Sequence, residues 1–240
     1  MTNESETETG LDFAESLAAA TPTPGGGAAA ARGGLLATSL VRMVTGISLQ
    51  KMGTPDSEEG SENPGQALLE GTGGSARKLG ERFRALEAAD IAVFDDFMSA
   101  IRLPKESEDE IASRKLALRD AAEKATNVPL DTLAACLEIF ELIDDLLDAA
   151  SVGTVRLGAD SDLGAALEFS NAAFRAAELN INANLSMLKD DPRLEALSTR
   201  YSALRERFEE DFPVLRTRVL DWLNLFHPGF RLEETRKCFV

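Results

Sequence analysis

Two cysteines in 240 residues, Cys136 and Cys238, are too few for a disulfide framework or a four-cysteine zinc site. The single histidine, His227, excludes any catalytic or metal centre that needs two imidazoles. No long apolar run exists either. The longest uncharged stretch, Ser16 to Ala31, carries Pro22, Pro24 and three consecutive glycines, so it cannot form a spanning helix of about 20 apolar residues. The first ten residues are acidic and polar, without the basic region and apolar run of a secretory signal, and a cytoplasmic, reducing location is expected. Lysine is scarce: 18 Arg stand beside 7 Lys, against 41 Asp and Glu, for a net charge of −16. That charge repels the phosphate backbone, so nucleic acid is not an expected partner, and no membrane partner is expected. Abundant carboxylate with little lysine fits a salt-adapted, halophilic surface; a coding bias beneath an ordinary acidic surface gives the same composition.

What is present is a chain with 44% hydrophobic residues, enough to bury one core. Sustained period-two alternation of β-branched residues does not occur, whereas helical spacing recurs throughout. The expected fold is all-α: an antiparallel multi-helix bundle with long central helices, over residues 11–226, between an acidic N-terminus (1–10) and a C-terminal tail (227–240). A short helix from Leu11 ends at the Pro22 to Gly27 turn, and a second runs from Ala28 to about Met52 with small residues on its first half. Residues 53–74 are acidic and turn-rich and read as a surface loop, with one helical turn at Gln66 to Leu69. A helix follows from Ser75 to Leu103-Pro104. Ser107 to Glu110 forms a capping box that opens the next, expected to break at Val128-Pro129 before a further helix over Leu130 to Ala150. A turn then leads into a long helix over Ser161 to Leu188, Pro192 suits the first turn of a helix reaching about Glu210, and Pro213 opens or kinks a last one toward Phe226.

Asp90 is the sharpest single residue. It lies on the helical stripe Phe83, Leu86, Phe94, Phe97 and Ile101, and a carboxylate facing an apolar interior must be paired, protonated or functional. Pro24, Gly25, Gly26 and Gly27 lead into a helix whose exposed amides suit an anionic or polar ligand, or simply allow tight packing. Ser161 and Asp162 open a helix where either can cap amides. Asn180 and Asn184 lie one turn apart, placed to read a polar heterocycle, each other or a partner helix. On a straight helix Asp162 and Asn180 stand roughly 27 Å apart, too far to share one compact site within a subunit. His227 reads as structural or solvated and Cys136 as packing.

Taken in order, these segments resemble the cyclodeaminase/cyclohydrolase family of folate enzymes. The matching pieces are Phe13 through Thr23-Pro24-Gly25-Gly26-Gly27, Met43-Val44 with Ser48 and Lys51, Asp90 to Phe94, Leu103-Pro104-Lys105, Arg114, Val128-Pro129-Leu130, Ser161-Asp162-Leu163 and Asn180 to Leu185. The resemblance covers about 180 residues, Leu11 to about Asp191. It departs at Ala28, where the family commonly has Ser, and at residues 153–160, which replace a Gly-Asn-containing turn.

The resemblance implies an all-helical homodimer that binds a reduced folate at or near the subunit interface, with no metal or redox cofactor. The family's catalytic Asp falls on Asp90. The substrate-binding positions it implies are Pro24, Gly25, Gly26, Gly27, Lys51, Phe94, Lys105, Arg114, Ser161, Asp162, Asn180 and Asn184. Its implied activity is hydrolysis of 5,10-methenyltetrahydrofolate to the 10-formyl compound, with Asp90 as acid/base and cation stabiliser. The alternatives are cyclodeamination of formimidoyltetrahydrofolate with release of ammonia, and a helical dimer that binds folate without catalysis.

Overall fold

The computed structural model describes residues 10–52 and 63–226, and these form six α-helices and no strand. They are α1 (Gly10–Ala18), α2 (Gly26–Met52), α3 (Pro64–Ile101), α4 (Glu108–Ser151), α5 (Asp160–Leu185) and α6 (Arg193–Phe226), with a single 3-10 turn at Ser186–Leu188. His227, Cys238 and both expected flanking segments lie outside the described residues, apart from Gly10.

α2 is built from small residues because it runs through the centre. A Cβ at Gly34 would lie 2.2 Å from Phe83 Cε1, and one at Gly80 would lie 3.2 Å from Thr38 Oγ1. Gly73 stands against Thr45 in the same way, so α3 runs antiparallel to α2 in a fixed register. On its other side, Gly33 packs on Ala173 and Gly26 faces Asn180, which sets α5 antiparallel to α2 as well. α4 closes the ring. Ser170 of α5 donates to the Cys136 carbonyl, and Arg82 of α3 pairs with Glu138 of α4. The result is a four-helix bundle with the core Val41, Leu69, Phe83, Leu133, Ile139, Leu167 and Phe174, each fully buried and worth about 1.5–3 kcal/mol.

α6 lies in the groove between α4 and α5. Phe208 stacks on Phe174 with ring centroids 4.0 Å apart. A seam of ion pairs flanks it: Arg193 with Asp120 and Glu123, Arg200 with Asp131, Arg207 with Glu141, Arg218 with Asp144 and Asp148. No helix of the described residues is long and apolar enough to cross a membrane.

Four expectations from sequence need correction. Residues 64–74 are helix, not loop: Asn63 accepts from the amides of Gly65 and Gln66, Pro64 takes the first turn, and Leu69 and Thr72 are buried. α4 does not break at Val128-Pro129. Pro129 sits inside it and leaves the Ala125 carbonyl without its helical donor, and the Asn184 side-chain amide supplies that hydrogen bond at 2.6 Å. α6 likewise passes through Pro213, on an exposed face, without ending. Finally, neither Ser161 nor Asp162 caps α5. The helix starts at Asp160 behind Ala159, which has φ 140° and offers no side-chain cap.

Candidate functional site

The start of α2 is where the glycine turn, Asp90 and Asn180 meet. Gly26 and Gly27 form its first turn after the Thr21–Gly25 bend, in which Thr23-Pro24 is cis. Asp90, from the middle of α3, lies against that turn: a Cβ at Gly27 would stand 2.0 Å from Asp90 Oδ1 and 2.5 Å from Cγ. Glycine at 27 is therefore required by a carboxylate occupying the space of its side chain. The amide of Ala28 donates to the Asp90 carboxylate. Gly26, in turn, faces Asn180 of α5, whose Nδ2 and Oδ1 would be 3.7 and 3.9 Å from a Cβ there. A carboxylate, the N-terminal amides of a 27-residue helix and a carboxamide thus share one end of the bundle.

Two opposing influences act on Asp90. Burial pushes its carboxyl above the ordinary carboxylate range, and the Ala28 hydrogen bond pulls it back part of the way. The stripe on which it lies changes character there. Phe83 and Leu86 are buried, Phe94 and Phe97 only half-buried, and Ile101 exposed. The expectation of a fully packed apolar interior around Asp90 is accordingly corrected: the carboxylate sits where the core opens toward solvent. The glycine run also has a different reason from the one a turn would give. Among the described glycines only Gly153 has positive φ, so Gly26 and Gly27 serve close approach rather than left-handed backbone.

The other candidates divide. Phe94 stands one turn beyond Asp90 on the same helix. Asn180 Nδ2 bonds the Ala176 carbonyl at 3.2 Å, so Asn180 is held in position beside the glycines. Asn184 is likewise held, its Nδ2 donating to the Ala125 carbonyl of α4. Arg114 donates from Nε to the Ile101 carbonyl and closes the C-terminus of α3, and Lys105 is exposed in the α3–α4 turn.

Lys51, Ser161 and Asp162 lie at the opposite end of the bundle. Lys51 is 24 residues along α2 from Gly27, roughly 36 Å away. There the Gly158 amide donates to Ser48 Oγ at 2.9 Å, and Gly158 packs against Ile47 and the Lys51 stem. The structure thus keeps two clusters apart within one chain.

Sequence reasoning missed Ala28, noted only as a departure from the family's Ser, because its contribution is a backbone amide. It also missed Arg32 and Glu87, which form an ion pair one helical turn further into the bundle. The signal was available in the spacing, Arg32 four residues past Ala28 and Glu87 three before Asp90. A groove of about 300 Å³ between α4 and α6 is lined by Phe140, Glu141, Arg207 and Arg218, but both arginines are committed to carboxylates and the groove lies on another face.

Residues 9–203 match the family model described as formiminotransferase-cyclodeaminase. A methenyltetrahydrofolate cyclohydrolase of Methylorubrum extorquens is 32% identical over 210 residues, 85% of this chain and 95% of that protein. A formimidoyltransferase-cyclodeaminase of Rattus norvegicus is 25% identical over 199 residues, 80% of this chain but only 33% of that longer protein. The crystal structure of a formiminotetrahydrofolate cyclodeaminase from Thermotoga maritima superposes with a TM-score of 0.70 at 21% identity, over 91% of this chain and 98% of that one, and so shares the fold. With the match spanning α1 to the first third of α6 and including the glycine turn, Asp90 and Asn180, this chain belongs to the formiminotransferase-cyclodeaminase family.

Proposed function

We propose that this protein is a methenyltetrahydrofolate cyclohydrolase. The observation that carries the reading is the Asp90 carboxylate seated on the glycine start of α2, half-buried and bonded to the Ala28 amide. The near full-length cyclohydrolase relative supports the choice of substrate. The methenyl bridge is a cationic amidinium, and a carboxylate beside it stabilises that charge while activating water. Asp90 takes a proton from the water as its oxygen bonds to the bridge carbon. It returns a proton to N5 as the C–N5 bond breaks, and the remaining hydroxyl proton leaves to solvent, giving the 10-formyl product. A carboxyl raised by burial suits both steps, since it remains a base yet holds a proton long enough to return it. Asn180 and Phe94 border the same space and are proposed to hold the heterocycle, by hydrogen bonding and by apolar contact. No metal or redox cofactor takes part in this scheme.

The second reading is cyclodeamination, favoured by the name of the Thermotoga maritima neighbour and by that of the Rattus norvegicus relative. In it Asp90 delivers its proton to the departing amino group. Two assays on one preparation separate the readings. Loss of methenyl absorbance without ammonia production supports the cyclohydrolase; ammonia released from formimidoyltetrahydrofolate assigns the deaminase; neither signal leaves a folate-binding protein.

We further propose a homodimer. Leu36 and Met43 are 46% and 40% exposed on the outer face of α2, and Phe169 is 42% exposed on α5 beside them. Leu40 and Ile47 continue the stripe at helical spacing. Two copies packed antiparallel along this face bring the partner subunit's Lys51, Ser161 and Asp162 toward Asp90, which offers the two separated clusters one shared site. Light scattering at twice the 25.8 kDa chain mass supports this, and the single-chain mass in an active sample rejects it.

A further inference from the structure

Pro129 is buried inside α4, where it removes the hydrogen bond that an amide at position 129 would give to the Ala125 carbonyl. α5 replaces that bond. The Asn184 carboxamide donates from Nδ2 to the Ala125 carbonyl at 2.6 Å. Four residues earlier on the same face of α5, Asn180 donates from Nδ2 to the Ala176 carbonyl at 3.2 Å. A carboxamide is planar, so fixing its nitrogen also fixes its oxygen, on the other side of Cγ. Asn180 and Asn184, both partly buried, therefore turn Oδ1 away from the carbonyls that hold them, and each presents an acceptor.

The proline step is level with Asp90. Along α3 and α4, Arg82 pairs with Glu138 and reaches the Asp131 carbonyl, while Asp96 pairs with Lys124, so the antiparallel register brings Asp90 opposite Val128-Pro129. Gly27 stands against Asp90, and Gly26 against Asn180. Each of the four helices thus supplies one feature at the same height: the glycine start, the carboxylate, the proline step and the carboxamide. Asn184 lies four residues further along α5, about 6 Å beyond that level. α2 starts at Gly26 and does not extend there, and Phe94 and Phe97 of α3 rise on the same side, only half-buried.

We propose that Pro129 is a positioning residue for Asn184, and that Asn184 reads the substrate: the carbonyl released by Pro129 locks the carboxamide with its oxygen presented to the ligand, where it accepts from the 2-amino group of the pterin. This rests on the reading of the protein as a folate enzyme. The pyrimidine edge of a reduced pterin carries two donors, N3–H and the 2-amino group, which suit two carboxamide oxygens one turn apart. With N5 beside Asp90, where the C–N5 bond breaks, the 2-amino group is the far end of the ring. It falls to the farther carboxamide, Asn184. A carboxamide with no fixed partner can present nitrogen or oxygen, and so admits a ring with acceptors on that edge as readily as one with donors. Pro129 removes that choice without placing a side chain in the site.

Pro129→Ala gives the Ala125 carbonyl a backbone donor again and releases Asn184, while every polar side chain of the site stays in place. Binding is read by isothermal titration with 5-formyltetrahydrofolate, a stable reduced folate, and with its 2-desamino-2-methyl derivative, so the result does not depend on which folate reaction is catalysed. Wild type should prefer the amino compound by about three- to tenfold, the weight of one hydrogen bond. Pro129→Ala and Asn184→Ala should each lose most of that preference. The double variant should match Asn184→Ala, because Pro129 acts only through that residue. With 5,10-methenyltetrahydrofolate as substrate, Pro129→Ala should raise KM by a similar factor and change kcat by less than about twofold. A Pro129→Ala protein that melts cooperatively and keeps the full preference overturns the proposal and leaves Asn184 as a tie between helices; so does an undiminished preference in Asn184→Ala. If one variant does not fold, the other decides, since each must lose the preference. A wild type that binds both compounds equally overturns the proposal with the folate reading intact, whereas one that binds neither of them nor 5,10-methenyltetrahydrofolate rejects both.

Discussion

Gly27 shows how one missing side chain builds a site. Its Cβ position is filled by the Asp90 carboxylate, so Gly27→Ala must drive Asp90 off the Ala28 amide. We expect turnover to fall at least about tenfold. The melting temperature should stay within a few degrees, because the displaced carboxylate is a terminal group with solvent on one side. Circular dichroism melting beside a turnover assay checks both parts. Asp90 also carries a pH signature in stability. Its folded-state pKa lies above its unfolded value, so the native state binds that proton more tightly. The associated stabilisation is present below the unfolded pKa and declines as pH rises through the folded one. At neutral pH the ionised carboxylate is therefore a net cost, and Asp90→Asn should melt no lower than wild type there, while losing the advantage at acid pH. A melting series from pH 3 to 8 on both proteins measures this. Asp90 was legible in sequence because a lone carboxylate interrupted an apolar stripe; Ala28 was not, because its contribution is a backbone amide that any residue but proline supplies.

At the scale of helices, the sequence marks starts more clearly than interruptions. The Ser107 to Glu110 capping box is present as read, with the Glu110 carboxylate accepting from the Ser107 and Glu106 amides. Asn63-Pro64 carried an equally good start signal, masked by the acidic, glycine-rich context around it. Pro129 inside α4 was misread as a break because its compensating donor comes from Asn184, 55 positions further along the chain, which no local pattern reveals. That compensation predicts a specific coupling. Asn184→Ala leaves the partly buried Ala125 carbonyl without a partner and should cost about 1–3 kcal/mol. In a Pro129→Ala background the backbone amide of residue 129 can resume that bond, so the same Asn184→Ala change should cost clearly less. Chemical denaturation of the four proteins closes the cycle, and equal costs in both backgrounds would sever Asn184 from Pro129. Ala159 is the other feature that only coordinates reveal: a residue with a Cβ at φ 140° stands where helix α5 begins, in the stretch that departs from the family's usual turn.

For the molecule as a whole, charge works in two directions. The excess of 16 negative charges disfavours the compact state at low ionic strength, where the Debye length is about 30 Å at 0.01 M and only about 3 Å at 1 M. Against this, the arginine seam that docks α6 weakens on screening, but its pairs are largely surface-exposed and worth about 0–1 kcal/mol each. Repulsion summed over the surface should win, and the melting temperature should rise from low salt to molar potassium chloride. A flat or falling series would leave the acidic composition as a matter of solubility. The all-helical class was legible from periodicity alone, whereas the antiparallel order of α2, α3 and α5 is visible only in close contacts such as Gly34 on Phe83 and Gly33 on Ala173. The separation of the candidates into two ends was only half legible: the length of α5 set Asp162 apart from Asn180, but only the packing against α2 assigned Lys51 to one cluster and Asp90 to the other. The most direct measurement of the central claim is the rate of 5,10-methenyltetrahydrofolate hydrolysis by wild type and Asp90→Asn, corrected for the uncatalysed reaction. The account predicts a wild-type rate well above background and a loss of about 10²- to 10⁴-fold in the variant with its helical signal intact, and an Asp90→Asn protein within threefold of wild type would contradict it.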